Sequence, residues 1–436
     1  MNPLAVDLNK IIEATSPATY ALLSAKGKRL FFPTKGIVGQ SAMAKAKADV
    51  RYNATVGIGV KDGAAIGFPS LRKYFDASLS NDEVFNYSNS FGNAALRKAW
   101  KERLRELNPL LKDKLFSLPL VSSGLTHALY MTAELFFDAG DSIVLPDQIW
   151  GNYRLMFNTL GAAKINSYPF FDGSQFNLTG FKSALQKESE KQQTVRTILN
   201  FPNNPTGYSP TEAEATAIIE ILVNIANQGT RVLVLLDEAY FGLFLESNVY
   251  SHSLFSQLAD AHENIVAVKI CGATKEFFAW GFRVGFLTFA TKPGTDAFYN
   301  ALEHKAAGNL RGSISNCSTS AQNILLRALS TKEYQADFAL NYKLFQSRFE
   351  EVKRVLAEYD YSDMFTPYPF NSGYFMLVKL ASHLNAETIR TYLLDHYKIG
   401  VISTSPSDLR IAFSSLEQEH IEHVFTSLYQ ACKTHS

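Results

Sequence analysis

The sequence predicts an α/β fold: a mostly parallel central sheet with helices on both faces, joined to a smaller α+β unit. Three observations carry this. From about residue 68 to 340, apolar β-branched runs alternate with helix-period segments, the pattern of a doubly wound sheet. Polar or glycine-bearing turns fall just after those runs, at Ser123-Gly124, at FPNNPTG (201–207) and at Asp237, and open α/β sheets bind ligands at the carboxyl ends of their strands. From about 335 the alternation gives way to one long helical pattern, two strand runs and two further helices, enough chain for a separate unit.

The bulk numbers narrow the function classes. With 436 residues, 46% of them hydrophobic, the chain can bury a large core in two or three domains. The balance of 42 basic and 41 acidic residues leaves +1, so nothing draws the chain broadly to nucleic acid or acidic membranes. Three cysteines (Cys271, Cys317, Cys432) make no disulfide framework and suit a reducing cytosol, so a cytoplasmic location is expected. The N-terminal MNPLAVDLNKIIEATS does not read as a secretory signal, and no run approaches the 18 or so apolar residues of a membrane span.

Each element follows from local pattern. Residues 1–67 read as irregular chain with short helical pieces; Gly57, Gly59 and Gly63 mark either a plain turn or a backbone approach to a ligand. Leu96, Trp100, Leu104 and Leu107 recur at helical spacing after a glycine turn at Gly92, with Tyr87 on the loop before. LPLVSSGLTHALYMTAELFF (118–137) reads as strand, glycine turn, helix. Its Ser123, Gly124, Leu125 and Thr126 are a candidate anion cradle, because a helix start offers unpaired N–H groups and a favourable dipole. DSIVLP is a strand, followed by a loop whose Trp150 either packs or stacks on a flat ring. RTILNF is a strand ending in the FPNNPTG turn, after which Ser209, Pro210 and Glu212 fit an N-cap, a first-turn proline and a capping-box partner for a helix reaching about Gln228. Arg231–Leu236 is a buried strand with Asp237 at its end, where a carboxylate could pair with a buried cationic nitrogen. In the C-terminal part, Arg410 heads the apolar run LRIAFSS, an unusual place for an arginine without an anionic partner.

The densest chemistry lies in GATKEFFAWGFRVGF (272–286), between the strand runs ENIVAVKI and VGFLTFA. Desolvation at the end of a buried strand disfavours the charged form of Lys275, as a lysine needs if it is to attack a carbonyl as a free amine. Arg283, eight residues on, is a planar, permanently charged donor suited to a phosphate.

In order, NYSNSFGNAALR, SSGLTHAL, WGNY, NFPNNPTG, DEAYFG, ATKEFFAWGFRVG and LRIAFSS resemble fold-type I pyridoxal-phosphate enzymes, in particular the class I/II aminotransferases. The resemblance covers nearly the whole chain, and NPTG, then D-x-x-Y, then K-x7-R-x-G in that order is its specific part. It implies pyridoxal 5'-phosphate as cofactor, with no metal, and ping-pong transfer of an amino group through a Lys275 aldimine. It also implies that Asp237 pairs with the pyridine nitrogen, that Asn204 and Tyr240 reach the ring's phenolic oxygen, and that Trp150 stacks on the ring with Tyr153 behind Asp237. Gly124, Leu125, Thr126, Thr274 and Arg283 would hold the phosphate, with Tyr87 reaching it from the neighbouring subunit of a homodimer. Arg410 would fork onto the substrate α-carboxylate, with Gly59 nearby and Phe375 lining the pocket. The expected division is an N-terminal segment (1–67) contributing to the small domain, a large cofactor-binding domain (68–340) and a C-terminal small domain (341–436).

NLRGSISNCS (309–318) resembles the segment in which aspartate aminotransferases carry an arginine to the substrate's distal carboxylate across the dimer. Arg311 would take that part, and aspartate and glutamate would be favoured. The chain departs from the pattern in places: Gly272 stands where a serine is usual, Leu125 where many members have a small polar residue, and Gly312 and Cys317 replace prolines. An aminotransferase for aromatic or other neutral amino acids, or a pyridoxal-phosphate lyase on the same fold, is the alternative. A regulatory relative without catalysis would lack the lysine or aspartate, or carry a fused basic helix, and neither is seen. A nicotinamide enzyme would need G-x-G-x-x-G after an early strand, which is missing.

Overall fold

The computed structural model describes residues 1–31, 36–76 and 78–436. The part of the N-terminal expectation that falls on 32–35 lies outside the described residues. Seven strands form the central sheet: β1 (Leu120–Ser123), β2 (Ser142–Pro146), β3 (Lys164–Tyr168), β4 (Thr194–Asn200), β5 (Arg231–Asp237), β6 (Ile265–Gly272) and β7 (Val284–Ala290). Their spatial order is β1-β7-β6-β5-β4-β2-β3. All pairs are parallel except those made by β7, which runs antiparallel to both β6 and β1. The central strands are buried almost throughout, which is why they read as continuous apolar runs rather than alternating ones.

Helices cover both faces. Ala94–Leu107 turns Leu96, Trp100 and Leu104 of the anticipated row inward and leaves its fourth member, Leu107, half-buried. Gly124–Phe136 follows β1 directly. The helix after β4 begins later than expected. Thr211, not Ser209, is its N-cap, with Glu214 completing the capping box. Ser209 lies ahead of the helix instead: its N–H donates to Asn371 Oδ1 at 2.8 Å, and its carbonyl accepts from Asn371 Nδ2 at 2.9 Å.

A second sheet lies in the C-terminal part, all antiparallel: β8 (Phe365–Pro367), β9 (Met376–Leu380), β10 (Ile402–Ser403) and β11 (Asp408–Ile411), in the order β8-β9-β11-β10. It carries its own apolar cluster around Val352, Phe365, Val378, Leu393 and Phe425. The helix Tyr334–Glu358 runs from one core to the other, with Tyr334 and Phe345 in the first and Phe349 and Val355 in the second.

The N-terminal segment is more helical than its sequence suggests, with helices at Pro3–Thr15, Pro17–Leu22, Ala25–Arg29 and Ile37–Ala46. It touches both parts. Arg29 Nε donates to the Thr159 carbonyl at 2.9 Å, while Gln40 Nε2 donates to the Ser403 carbonyl at 3.0 Å and Tyr52 pairs with Ile399. Among the described residues, no helix is long and apolar enough to cross a membrane.

Candidate active site

Parallel register does the assembling. Asn200 ends β4, Asp237 ends β5, and the two are register partners; Ile270 of β6 is the partner on the other side. The strand ends therefore deliver Asn200 and Asp237 side by side, and the turn after β6 delivers Lys275 on the short helix Ala273–Glu276. A cavity opens there, walled by Asp237, Lys275, Tyr240, Asn204, Thr274 and Arg283. Leu125, Thr126, Trp150 and Tyr153 also line it.

Asp237 is buried and well held. The Tyr153 hydroxyl donates to Oδ2 at 2.6 Å and the Ala239 N–H to Oδ1 at 3.2 Å. Burial raises its carboxyl above the usual range, while the Tyr153 hydrogen bond and the Lys275 charge pull the other way. Burial lowers the Lys275 amine to about 8; Asp237 opposes this, and Arg283 and Arg410 reinforce it. Its Nζ sits 4.3 Å from the centre of the Tyr240 ring. Burial raises the Tyr240 hydroxyl, with Arg410 opposing.

Arg410 and Asn204 form one unit. Arg410 Nη1 donates to Asn204 Oδ1 at 2.9 Å, and Nη2 donates to the Thr55 carbonyl at 2.9 Å. Its guanidinium centre lies 4.1 Å from the Phe375 ring centre, a desolvated stacking geometry. Burial brings this arginine down to about 10. Gly57 and Gly59, the second of them the glycine expected near the substrate carboxylate, are both closely packed. A Cβ at Gly57 would lie 2.6 Å from Phe375 and 3.3 Å from the Tyr240 hydroxyl, whereas Gly59 is packed against Phe345 and Ile66.

Arg283, which lines the cavity, lies close against Gly124. Gly124 has φ +77°, and a Cβ there would stand 2.3 Å from Arg283 Nη2. Arg283 itself is left-handed at φ +54°, a conformation uncommon for a long side chain and concentrated at functional sites. The Thr274 hydroxyl is buried with no hydrogen-bond partner among the described residues.

Tyr87 is 93% exposed and Arg311 is also exposed, its Nη1 donating to Ser315 Oγ at 2.6 Å. Both lie outside the described lining of their own chain's cavity.

Sequence reasoning passed over Asn200, whose Nδ2 donates to the Asp237 carbonyl at 2.9 Å and whose Oδ1 accepts from the Asn204 N–H at 2.9 Å. Its signal was an amide at the end of a buried strand, next to the turn already singled out.

Solved structures share this fold. An aminotransferase from Anaerococcus prevotii superposes with a TM-score of 0.81 at 22% identity, over 94% of this chain and 99% of that one. The family model for aminotransferase class I and II matches residues 60–428. The chain belongs to that family and is a pyridoxal-phosphate-dependent transaminase of fold type I. Among its relatives are an aspartate aminotransferase of Sulfurisphaera tokodaii, 27% identical over 73% of this chain and 75% of that one, and one of Bacillus subtilis, 24% identical over 64% and 63%. The match thus spans somewhat less than two thirds of the Bacillus protein's length.

The cavity fits such a cofactor. It offers an amine brought near neutrality, a buried carboxylate, an unpartnered hydroxyl, and an arginine against a glycine with no room for a side chain.

Proposed function

We propose that the chain moves an amino group from an L-amino acid, aspartate or glutamate preferred, to a 2-oxo acid in two half-reactions. The observation that carries this is the convergence of Lys275, the Tyr153–Asp237 pair and the Asn204–Arg410 pair on one corner of the fold. When bound, pyridoxal phosphate supplies an aldehyde that takes up the amino group and a ring that accepts electrons from the substrate Cα.

The chain's own groups do the rest. Lys275 Nζ would hold the cofactor and then, as a free amine, take and return the proton at the substrate Cα. Asp237 would keep the ring nitrogen protonated, and Tyr153 holds its carboxylate in place. Asn204 has its Oδ1 committed to Arg410, which leaves Nδ2 to donate to the ring's phenolic oxygen alongside Tyr240. Trp150 would close the ring's face against water. Arg410 would grip the α-carboxylate, its guanidinium already aligned by Phe375.

Gly124, Leu125, Thr126, Thr274 and Arg283 would hold the phosphate. Gly124→Ala would push Arg283 aside and is expected to weaken cofactor binding at least about tenfold, the cost of one charge-assisted hydrogen bond. Titrating the cofactor-free variant with pyridoxal phosphate checks this, and an unchanged Kd rejects the assignment.

Tyr87 and Arg311 would act on the site of a second copy, in a cytoplasmic homodimer. What supports this reading is that Tyr87 and Arg311 are exposed and lie outside the described lining of their own chain's cavity. With a division into residues 1–67, 68–340 and 341–436, Lys275 and Asp237 would belong to the large domain and Arg410 to the small one. Arg311→Ala is expected to raise KM for aspartate about tenfold or more, and KM for alanine or phenylalanine far less. Equal effects on all three would reject Arg311 and favour neutral donors.

A further inference from the structure

Asp237 and Lys275 are each followed in the chain by a glutamate, and both glutamates are buried, Glu238 at 4% and Glu276 at 5% exposure. Side chains alternate along a strand, so where Asp237 enters the cavity, Glu238 leaves by the opposite face of the sheet. There it pairs with Lys269 of β6, which is 1% exposed. Ser253 closes the triangle: its hydroxyl donates to Glu238 and accepts from Lys269 Nζ at 3.0 Å. The Glu238 N–H is also fixed, donating to the Ile270 carbonyl at 2.9 Å.

Glu276 has its own cation. Arg103 Nη2 meets its Oε2 at 3.1 Å, and Arg103 Nη1 donates to the Tyr334 hydroxyl at 2.9 Å. Trp100 packs beside Arg103, whose guanidinium centre lies 5.7 Å from its ring centre, and is itself stacked on Phe286 at 4.1 Å and donates to Cys271 Sγ at 3.4 Å. None of these residues lines the cavity.

Burying Glu238, Lys269 and Glu276, with Arg103 only 12% exposed along its side chain, is costly, and apolar groups of the same volume are often as stable or more so. Stability alone therefore gives a weak reason for four charges here. We propose that Glu238–Lys269 and Glu276–Arg103 are positioning pairs, each clamping the residue next to a site residue and so fixing the backbone from which Asp237 and Lys275 project. This rests on the roles given to Asp237 and Lys275 above. Small displacements of such groups are expensive; about 1 Å can cost on the order of a hundredfold in rate.

The test uses the holoenzyme with Glu238→Leu and Lys269→Met combined, which removes one charge of each sign and leaves no buried ion unpaired. The variant should fold and bind cofactor. Its kcat should fall about tenfold at nearly constant KM, and the pH midpoint of the cofactor's visible band should move away from the wild-type value. A folded double variant with wild-type kcat and midpoint would overturn the proposal. If it does not fold, Glu238→Gln keeps an acceptor for Ser253 and removes only the charge facing Lys269; a shifted midpoint then supports the clamp and an unshifted one overturns it. Activity retained by Lys275→Ala would instead overturn the site assignment beneath it.

Discussion

Lys275→Ala is expected to lower kcat by at least about 10,000-fold, because it removes the proton-transfer group and the cofactor's anchor together. The lysine follows β6 on a four-residue helix whose alanine and threonine are buried, so the fold does not depend on its amine. Burial brings that amine to about 8, with Asp237 opposing and Arg283 and Arg410 adding. Its free form thus grows as pH rises through that value, without needing strong alkali. Steady-state rates with a 2-oxo acid acceptor measure the loss, and near-normal turnover in the variant would remove Lys275 from the reaction.

Asp237→Asn is expected to leave the protein folded and the cofactor bound while slowing proton removal from the substrate about 100- to 1,000-fold, the scale of one lost electrostatic partner. Asparagine keeps the volume, and its carbonyl oxygen can still accept from the Tyr153 hydroxyl. What disappears is the negative charge that Tyr153, the Ala239 N–H and Lys275 maintain against burial. Stopped-flow mixing with an amino donor reads this step directly. A first-half-reaction rate equal to wild type would rule out the charge as the cause.

Much of this site is written locally. FPNNPTG, DEAY and the Lys275–Arg283 spacing each place their residues within a turn of a strand end, and strand ends are visible as the limits of apolar runs. The central sheet was legible for the same reason. What local pattern did not carry was set by distant partners. Asn200 matters because register places it beside Asp237, 37 residues later. Ser209 looks like an N-cap until Asn371, 162 residues away, takes both its backbone groups, and the helix then starts from Thr211. Nor did local pattern show that Gly57 packs against Phe375 and Tyr240 while Gly59 packs against Phe345 and Ile66. The clamp residues behind the sheet were hidden likewise, since Lys269 sits within the strand run ENIVAVKI and only the folded structure sets Glu238 against it.

The central claim is that this cavity runs a transaminase half-reaction with an acidic donor. The visible spectrum of the purified holoenzyme, followed as L-aspartate is added without any 2-oxo acid and then as a 2-oxo acid is supplied, tests it most directly. The account predicts that the cofactor's visible band disappears with aspartate, in proportion to enzyme and not to excess donor, and returns with the oxo acid. A band that aspartate leaves unchanged, or no band even after adding pyridoxal phosphate, would contradict it.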